Sequence, residues 1–97
     1  MFNESVWNLC KQIPAGRVST YKELAHALHC KAYRAVGNAL NKNPYSPIVP
    51  CHRVVKSDGS LSGFAQGQKK KQRMLEKEGI IVEKGKIKLF YNKLYKF

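Results

Sequence analysis

The residues of this 97-residue chain best suited to chemistry stand together in Pro50-Cys51-His52-Arg53-Val54-Val55. The proline fixes φ and removes a backbone donor just before a cysteine, and two side chains able to carry positive charge follow directly. A thiol reacts as thiolate, and cationic neighbours bring its pKa down from about 8.5 toward neutrality, so the local sequence favours a nucleophile at Cys51. A buried cysteine beside a surface basic pair fits the same letters, and spacing alone does not choose between the two. In an extended segment Cys51 and His52 point to opposite faces, so His52 could take the thiol proton only through a water or around a turn. A papain-like cysteine hydrolase is disfavoured because its histidine is distant in sequence, and His26 and His29 fall in an ordinary helical stretch. The three cysteines, Cys10, Cys30 and Cys51, include no Cys-x-x-Cys pair, which argues against a disulfide framework and a structural zinc. A ligand set drawn from His29, Cys30, Cys51 and His52 lacks the expected spacings, so no metal and no cofactor is expected.

Charge narrows the partner. With 18 Lys+Arg against 6 Asp+Glu the formal net charge is +12, and the pI is near 9.9. Such an excess on a small body calls for a polyanion, nucleic acid ahead of an anionic membrane surface. A chain of this length reads as one domain over residues 1–97, burying about 60–70% of its unfolded surface. No apolar run approaches the ~18 residues of a membrane span, and Met1-Phe2-Asn3-Glu4 lacks the start of a signal peptide. The expected location is therefore intracellular, cytoplasmic in a prokaryote and nuclear in a eukaryote. No repeat, linker or low-complexity stretch interrupts the chain.

The elements that must position Cys51 are mainly helical. Asn3 can cap a first helix in which Val6, Leu9, Cys10 and Ile13 recur at helical spacing beside Trp7, and Pro14-Ala15-Gly16 ends it. Thr20 and Glu23 form a capping box, so a second helix begins at Tyr21 and turns Leu24, Ala25 and Leu28 inward. After His29-Cys30-Lys31, residues 32–41 read as a third helix with Val36 and Leu40 buried. The pair describes a helix-turn-helix. On the outer face of its second helix Ala32, Ala35, Gly37 and Ala39 are small and Arg34 is the one long cation, a pattern suited to close approach to a nucleic-acid backbone or to another helix. Asn43-Pro44 ends this helix, and the following prolines keep residues 45–55 extended as far as Cys51. Asp58-Gly59 signals a turn between Val54-Val55 and Leu61, consistent with a small hairpin. Residues 63–67 form a glycine-bounded loop unlike any nucleotide-phosphate motif. A fourth helix is expected over residues 68–78, with Met74 and Leu75 inward and Gly79 beyond its end. Lys69-Lys70-Lys71 lies on its first turn, unfavourable relative to the helix dipole, as a solvated face or a phosphate contact. Ile80-Ile81-Val82 and Ile87-Lys88-Leu89-Phe90 flank Lys84-Gly85-Lys86 as a second hairpin, a wing packed on the domain. Whether residues 91–97 dock or fray is left open. The expected fold is mainly α with small β: a winged helix-turn-helix of about four helices plus short hairpins.

The hexapeptide, together with Val18-Ser19-Thr20-Tyr21, Tyr33-Arg34-Ala35-Val36-Gly37, Asn43-Pro44, Asp58-Gly59, Ser62-Gly63-Phe64 and Glu78-Gly79, resembles the catalytic and DNA-binding domain of the O6-alkylguanine-DNA alkyltransferases. The resemblance implies a stoichiometric DNA-repair protein: it flips O6-alkylguanine out of the duplex and moves the alkyl group irreversibly onto Cys51, once per molecule. It implies that His52 acts on the thiol through a water and that Glu78 orients and charges His52, giving a nucleophile, base and orienter in series. It implies that Arg34 fills the space left by the flipped base, with Tyr33, Ala35 and Gly37 beside it on the DNA-binding helix, on the minor-groove side of the duplex. Tyr21 matches the tyrosine that crowds the neighbouring phosphate, and Asn43 an asparagine bracing the turn toward the cysteine. The carbonyls of Cys51 and Val54 are implied as acceptors for the guanine amino group, and the Ala65 N–H as donor to O6, with Phe64 as an apolar wall. The family often has tyrosine, serine and glycine where this chain has Phe64, Ala65 and Gln66. Gln66 narrows the pocket rim, which bears on bulky adducts more than on methyl. Many members carry a further amino-terminal domain before the matched block, and none precedes it in this sequence. The implied partner is double-stranded DNA bearing alkylated guanine, bound by a monomer.

Two other readings compete. Alkyltransferase-like lesion sensors resemble this domain in size but characteristically lack the cysteine, which makes Cys51 the discriminating residue. A winged helix-turn-helix regulator should offer several long base-reading side chains on its recognition face, and this chain offers one arginine among alanines.

Overall fold

In the computed structural model, residues 2–44, 48–61 and 67–97 are described. The expected loop at residues 63–67, including Phe64, Ala65 and Gln66, lies almost wholly outside them. Helix α1 (Phe2–Cys10) starts at Phe2, so Asn3 is inside the helix and not its cap. Val6, Cys10 and Ile13 are fully buried, as their spacing requires. Trp7 donates from Nε1 to the Ala39 carbonyl at 2.8 Å, tying α1 to the third helix.

Strand β1 (Ser19–Thr20) leads into α2 (Tyr21–Ala27). The capping box forms on its first side: Thr20 Oγ1 accepts from the Glu23 N–H at 3.0 Å. His29 takes a left-handed φ of 57° after α2 and turns the chain toward α3 (Tyr33–Asn41). Val36 and Leu40 face inward. Ala39 does too, so it is a packing residue and not part of the outer face.

Two expectations around Cys51 are corrected. Residues 51–53 form a 3-10 turn, Cys51–Arg53, not an extended segment. Strand β2 (Val54–Val55) does not form a hairpin with Leu61 but pairs in parallel with β1, Ser19 opposite Val54 and Thr20 opposite Val55. The turn that Asp58-Gly59 signals is present, with the Gly59 N–H donating to the Lys56 carbonyl at 2.9 Å. Its outgoing limb joins the second hairpin instead, Ser60 bridging Lys86.

Because successive residues of a strand face opposite ways, β2 divides two cores. Val54 joins Val6, Cys10, Leu24, Val36 and Leu40 in the helix-turn-helix core. Val55 joins Val18, Leu61, Leu75, Ile80, Ile87 and Phe90 beneath α4 (Gln68–Lys77) and the wing. The wing comprises β3 (Val82–Glu83) and β4 (Lys86–Ile87), antiparallel with Val82 opposite Ile87. The tail docks. After α5 (Phe90–Lys93) the chain runs beside Val18, whose N–H donates to the Lys93 carbonyl and whose carbonyl accepts from the Tyr95 N–H.

Gly59 shows how closely this second core is fitted. Its φ is +86°, and a Cβ placed there would lie 3.0 Å from Phe90 Cγ. Both the left-handed backbone and the contact exclude a side chain, so Gly59→Ala is expected to cost about 2 kcal/mol. Calorimetry should show a fall in Tm of roughly 10 °C, since about 1 kcal/mol moves a domain of this size by 4–8 °C.

Candidate active site

The 3-10 turn decides the geometry of the site. It follows Pro50 and puts Cys51 and His52 at successive positions of a tight helical turn, about 120° apart instead of on opposite faces. Cys51 is 7% exposed and sits among Cys10, Val49 and Val54, while His52 is 2% exposed.

Behind His52 runs a hydrogen-bonded series. Arg53, the next residue, donates from Nε to Glu78 Oε1 at 2.9 Å and from Nη1 to the Ile13 carbonyl at 2.8 Å, and its Nη2 reaches Glu78 Oε2. His52 Nε2 lies 3.1 Å from the same Oε2. Glu78 can occupy this position because it caps the end of α4, where Gly79, at φ +88°, releases the chain. Burial pushes Glu78 upward, but the hydrogen bonds from Arg53 and His52 outweigh it and hold the carboxyl below its ordinary range. Burial pushes His52 down from 6.5, against the Glu78 hydrogen bond and charge that favour the cation. The imidazole is accordingly neutral near pH 7. A carboxylate only accepts, so Nε2 carries the proton and Nδ1 the lone pair. Nδ1 is buried and has no hydrogen-bond partner among the described residues.

Lys71 was missed as a site residue. Of the triple lysine on α4, Lys69 and Lys70 are exposed, but Lys71 is 1% exposed. Its Nζ donates to the Val54 carbonyl at 2.6 Å and stands 5.9 Å from the centre of the Tyr21 ring. Burial pushes its pKa down from 10.5 to about 8, and the negative charges of Cys51 and Cys10, when ionised, oppose that fall. The signal was in the sequence: Lys71 is four residues before Leu75, on the same helical face. The Val54 carbonyl, implied as an acceptor for guanine, thus already accepts from Lys71, a contact that uses one of its two lone pairs.

Cys10 is the contrasting thiol. Burial and the nearness of Cys51 push it from 9.0 up to about 12, despite Arg53 and Lys71. It is a core residue and a poor nucleophile.

The other predicted residues fall around an open groove beside α3. Tyr21, Tyr33, Arg34, Gly37, Asn38 and Asn41 line about 340 Å³, a volume within the range of small-molecule sites. Tyr33 and Arg34 are exposed, and Ala35 and Gly37 are half-buried. Tyr21 belongs both to this groove and to the environment of Lys71, which in turn interacts by charge with Cys51. Asn43 donates from Nδ2 to the Val49 carbonyl at 2.8 Å, joining the end of α3 to the segment that enters the 3-10 turn. Phe64 and Ala65 lie outside the described residues. Among the described residues no three His, Cys, Asp or Glu side chains gather as metal ligands, and no helix is long and apolar enough to cross a membrane.

The Methanosarcina acetivorans methylated-DNA--protein-cysteine methyltransferase is 49% identical over 79 residues, covering 80% of this chain and 51% of that protein. The chain thus spans about half the length of the curated relatives it matches. A Mycobacterium tuberculosis OGT solved in complex with DNA superposes with a TM-score of 0.77 at 41% identity, over 79% of this chain and 48% of that one. S. pombe Atl1, solved with damaged DNA containing O6-carboxymethylguanine, superposes with a TM-score of 0.85 at 31% identity, over 99% of this chain and 95% of that one. The family model of the 6-O-methylguanine DNA methyltransferase DNA-binding domain matches residues 1–80, and the chain belongs to that family.

Proposed function

We propose that the protein is a DNA-repair alkyltransferase that accepts an alkyl group from O6 of guanine onto Cys51. The observation that supports this reading best is the hydrogen-bonded series Arg53–Glu78–His52, in which buried His52 keeps Nδ1 without a partner among the described residues, in the turn that carries Cys51. His52 takes the thiol proton through a water. The ammonium of Lys71 interacts by charge with the thiolate so formed. Sulfur attacks the alkyl carbon in line, the S–C bond forms as the C–O6 bond breaks, and the electron pair leaves on guanine, which takes up a proton. A thioether is not hydrolysed in water, so each molecule acts once.

The target oxygen lies inside a duplex, so the base must first leave the stack, at a cost of a few kcal/mol that is lower for a badly paired lesion. Arg34 is the one long cation lining the α3 groove, and its planar guanidinium can stack in the space the base vacates. The half-buried Ala35 and Gly37 allow the helix to approach the minor-groove backbone closely. Tyr21 borders the extruded base, and the Cys51 carbonyl and the free lone pair of the Val54 carbonyl face its amino group. A monomer suffices for all of these contacts.

The whole-length match to Atl1 favours a second reading, lesion binding without transfer. The presence of Cys51 argues against it. Incubation with a duplex containing O6-methylguanine is expected to add the mass of one CH2 to the Cys51 peptide. An unchanged peptide together with tight lesion binding would establish the sensor reading instead.

A further inference from the structure

The wing carries a cation in an unfavourable conformation. Its two-residue turn is Lys84-Gly85, with φ of 52° and 76°, both left-handed as a type I′ turn requires. Glycine, asparagine and aspartate enter that region readily, while a lysine at its first position is strained. Lys84 is exposed, so packing does not compensate. The neighbouring cations have carboxylates close by: Lys88 pairs with Glu83 at 3.3 Å, and Lys86 lies near enough to Asp58 to lower it. Among the described residues Lys84 has no ion pair. From Glu83 to the chain end there are five lysines against one glutamate.

The turn is also fixed in place relative to the active-site groove. The Leu61 N–H donates to the Gly85 carbonyl at 2.8 Å. The Gln68 side chain comes within 3.7 Å of where a Gly85 Cβ would stand. Gln68 and Lys71 are three apart on one face of α4, and Lys71 reaches Tyr21, which shares the α3 groove with Arg34. Gly85, Gln68, Lys71, Tyr21 and Arg34 are therefore linked by successive contacts and shared faces within one small molecule. Its longest dimension is 34 Å, about one turn of B-DNA.

We propose that Lys84 is a second DNA contact, holding a backbone phosphate of the duplex that flanks the site bound at α3. The inference rests on the DNA-binding reading above. Strain at an exposed cation is then the cost of presenting its charge at the end of a rigid hairpin, and a flexible loop lysine would lose more freedom on binding.

The test is Lys84→Asn in the full chain, with Lys84→Arg as its partner. Asparagine relieves the strain and removes the charge, so Tm should rise by a few degrees while duplex binding weakens about equally for lesion and undamaged DNA. The plot of log affinity against log salt should become shallower by about one. Alkyl transfer from a free O6-alkylguanine base should keep its wild-type rate, and Lys84→Arg should keep the wild-type salt slope. An unchanged slope in Lys84→Asn, at either value of Tm, overturns the proposal. Failure of the underlying reading shows separately, as a wild-type protein that does not bind duplex DNA. A wild type that binds the lesion without alkyl transfer leaves the slope comparison valid, and the same shallower slope then supports the contact.

Discussion

Cys51→Ala is expected to bind a duplex containing O6-methylguanine about as tightly as the wild type and to accept no methyl group from it. The contacts assigned to binding come from α3, Tyr21 and main-chain carbonyls, none of which the substitution removes. The bond-forming atom has no substitute. Cys10 is buried in the same core and interacts with Cys51, yet its pKa of about 12 leaves almost none of it ionised at neutral pH. Peptide mass mapping after incubation should therefore find neither the Cys10 nor the Cys30 peptide changed. Methyl transfer that persisted on any cysteine of this variant would refute the assignment of the acceptor. Loss of a small, nearly buried thiol should cost about 1 kcal/mol of stability, so the folded variant can be compared directly.

Lys71→Met is expected to separate stability from activity. Burying the ammonium displaces its pKa from 10.5 to about 8, which corresponds to about 3 kcal/mol against folding at neutral pH. Methionine keeps the length of the side chain and removes that cost, while leaving the Val54 carbonyl without its donor, a loss of roughly 1–3 kcal/mol. The charge term is the larger, so stability near pH 7 should equal or exceed that of the wild type. Transfer should slow several-fold, because the substitution removes a positive charge that interacts with Cys51.

The pH dependence carries the sign of the effect. Below about pH 8 Lys71 is protonated in both folded and unfolded chains, and the full cost of burial is present. Between about 8 and 10.5 the unfolded chain holds a proton that the folded chain has released, so the wild type gains stability as pH rises. Any advantage of Lys71→Met in thermal unfolding should shrink from pH 8 upward. A gap that widened instead, or a variant with undiminished transfer, would remove Lys71 from the site.

What could be read in the letters was what local rules govern. The capping box at Thr20 and Glu23, the inward faces of α1 and α3, and the stop at Gly79 depend on residues three or four apart, and the structure has them. The 3-10 turn at Cys51 was hidden because a proline-flanked segment reads as extended until the chain around it is known. The pairing of β2 with β1 could not be read, since two-residue strands have no periodicity and their partner lies 35 positions away. For the same reason the docking of residues 94 and 95 against Val18 left no local trace. Lys71 is a different kind of miss. A run of three lysines suggests a common fate, whereas a helix rotates each by about 100° and sends the third inward.

The stretch that kinship recognises and the stretch that folds are not the same length. The family match closes at residue 80, yet Ile87 and Phe90 sit in the second core, Gly59 lies against Phe90, and Val18 is hydrogen-bonded on either side by residues 93 and 95. The final turn of the chain thus clamps the parallel strand that leads into the helix-turn-helix. A fragment trimmed to the recognised boundary would keep every reactive group and lose the scaffold that aligns them.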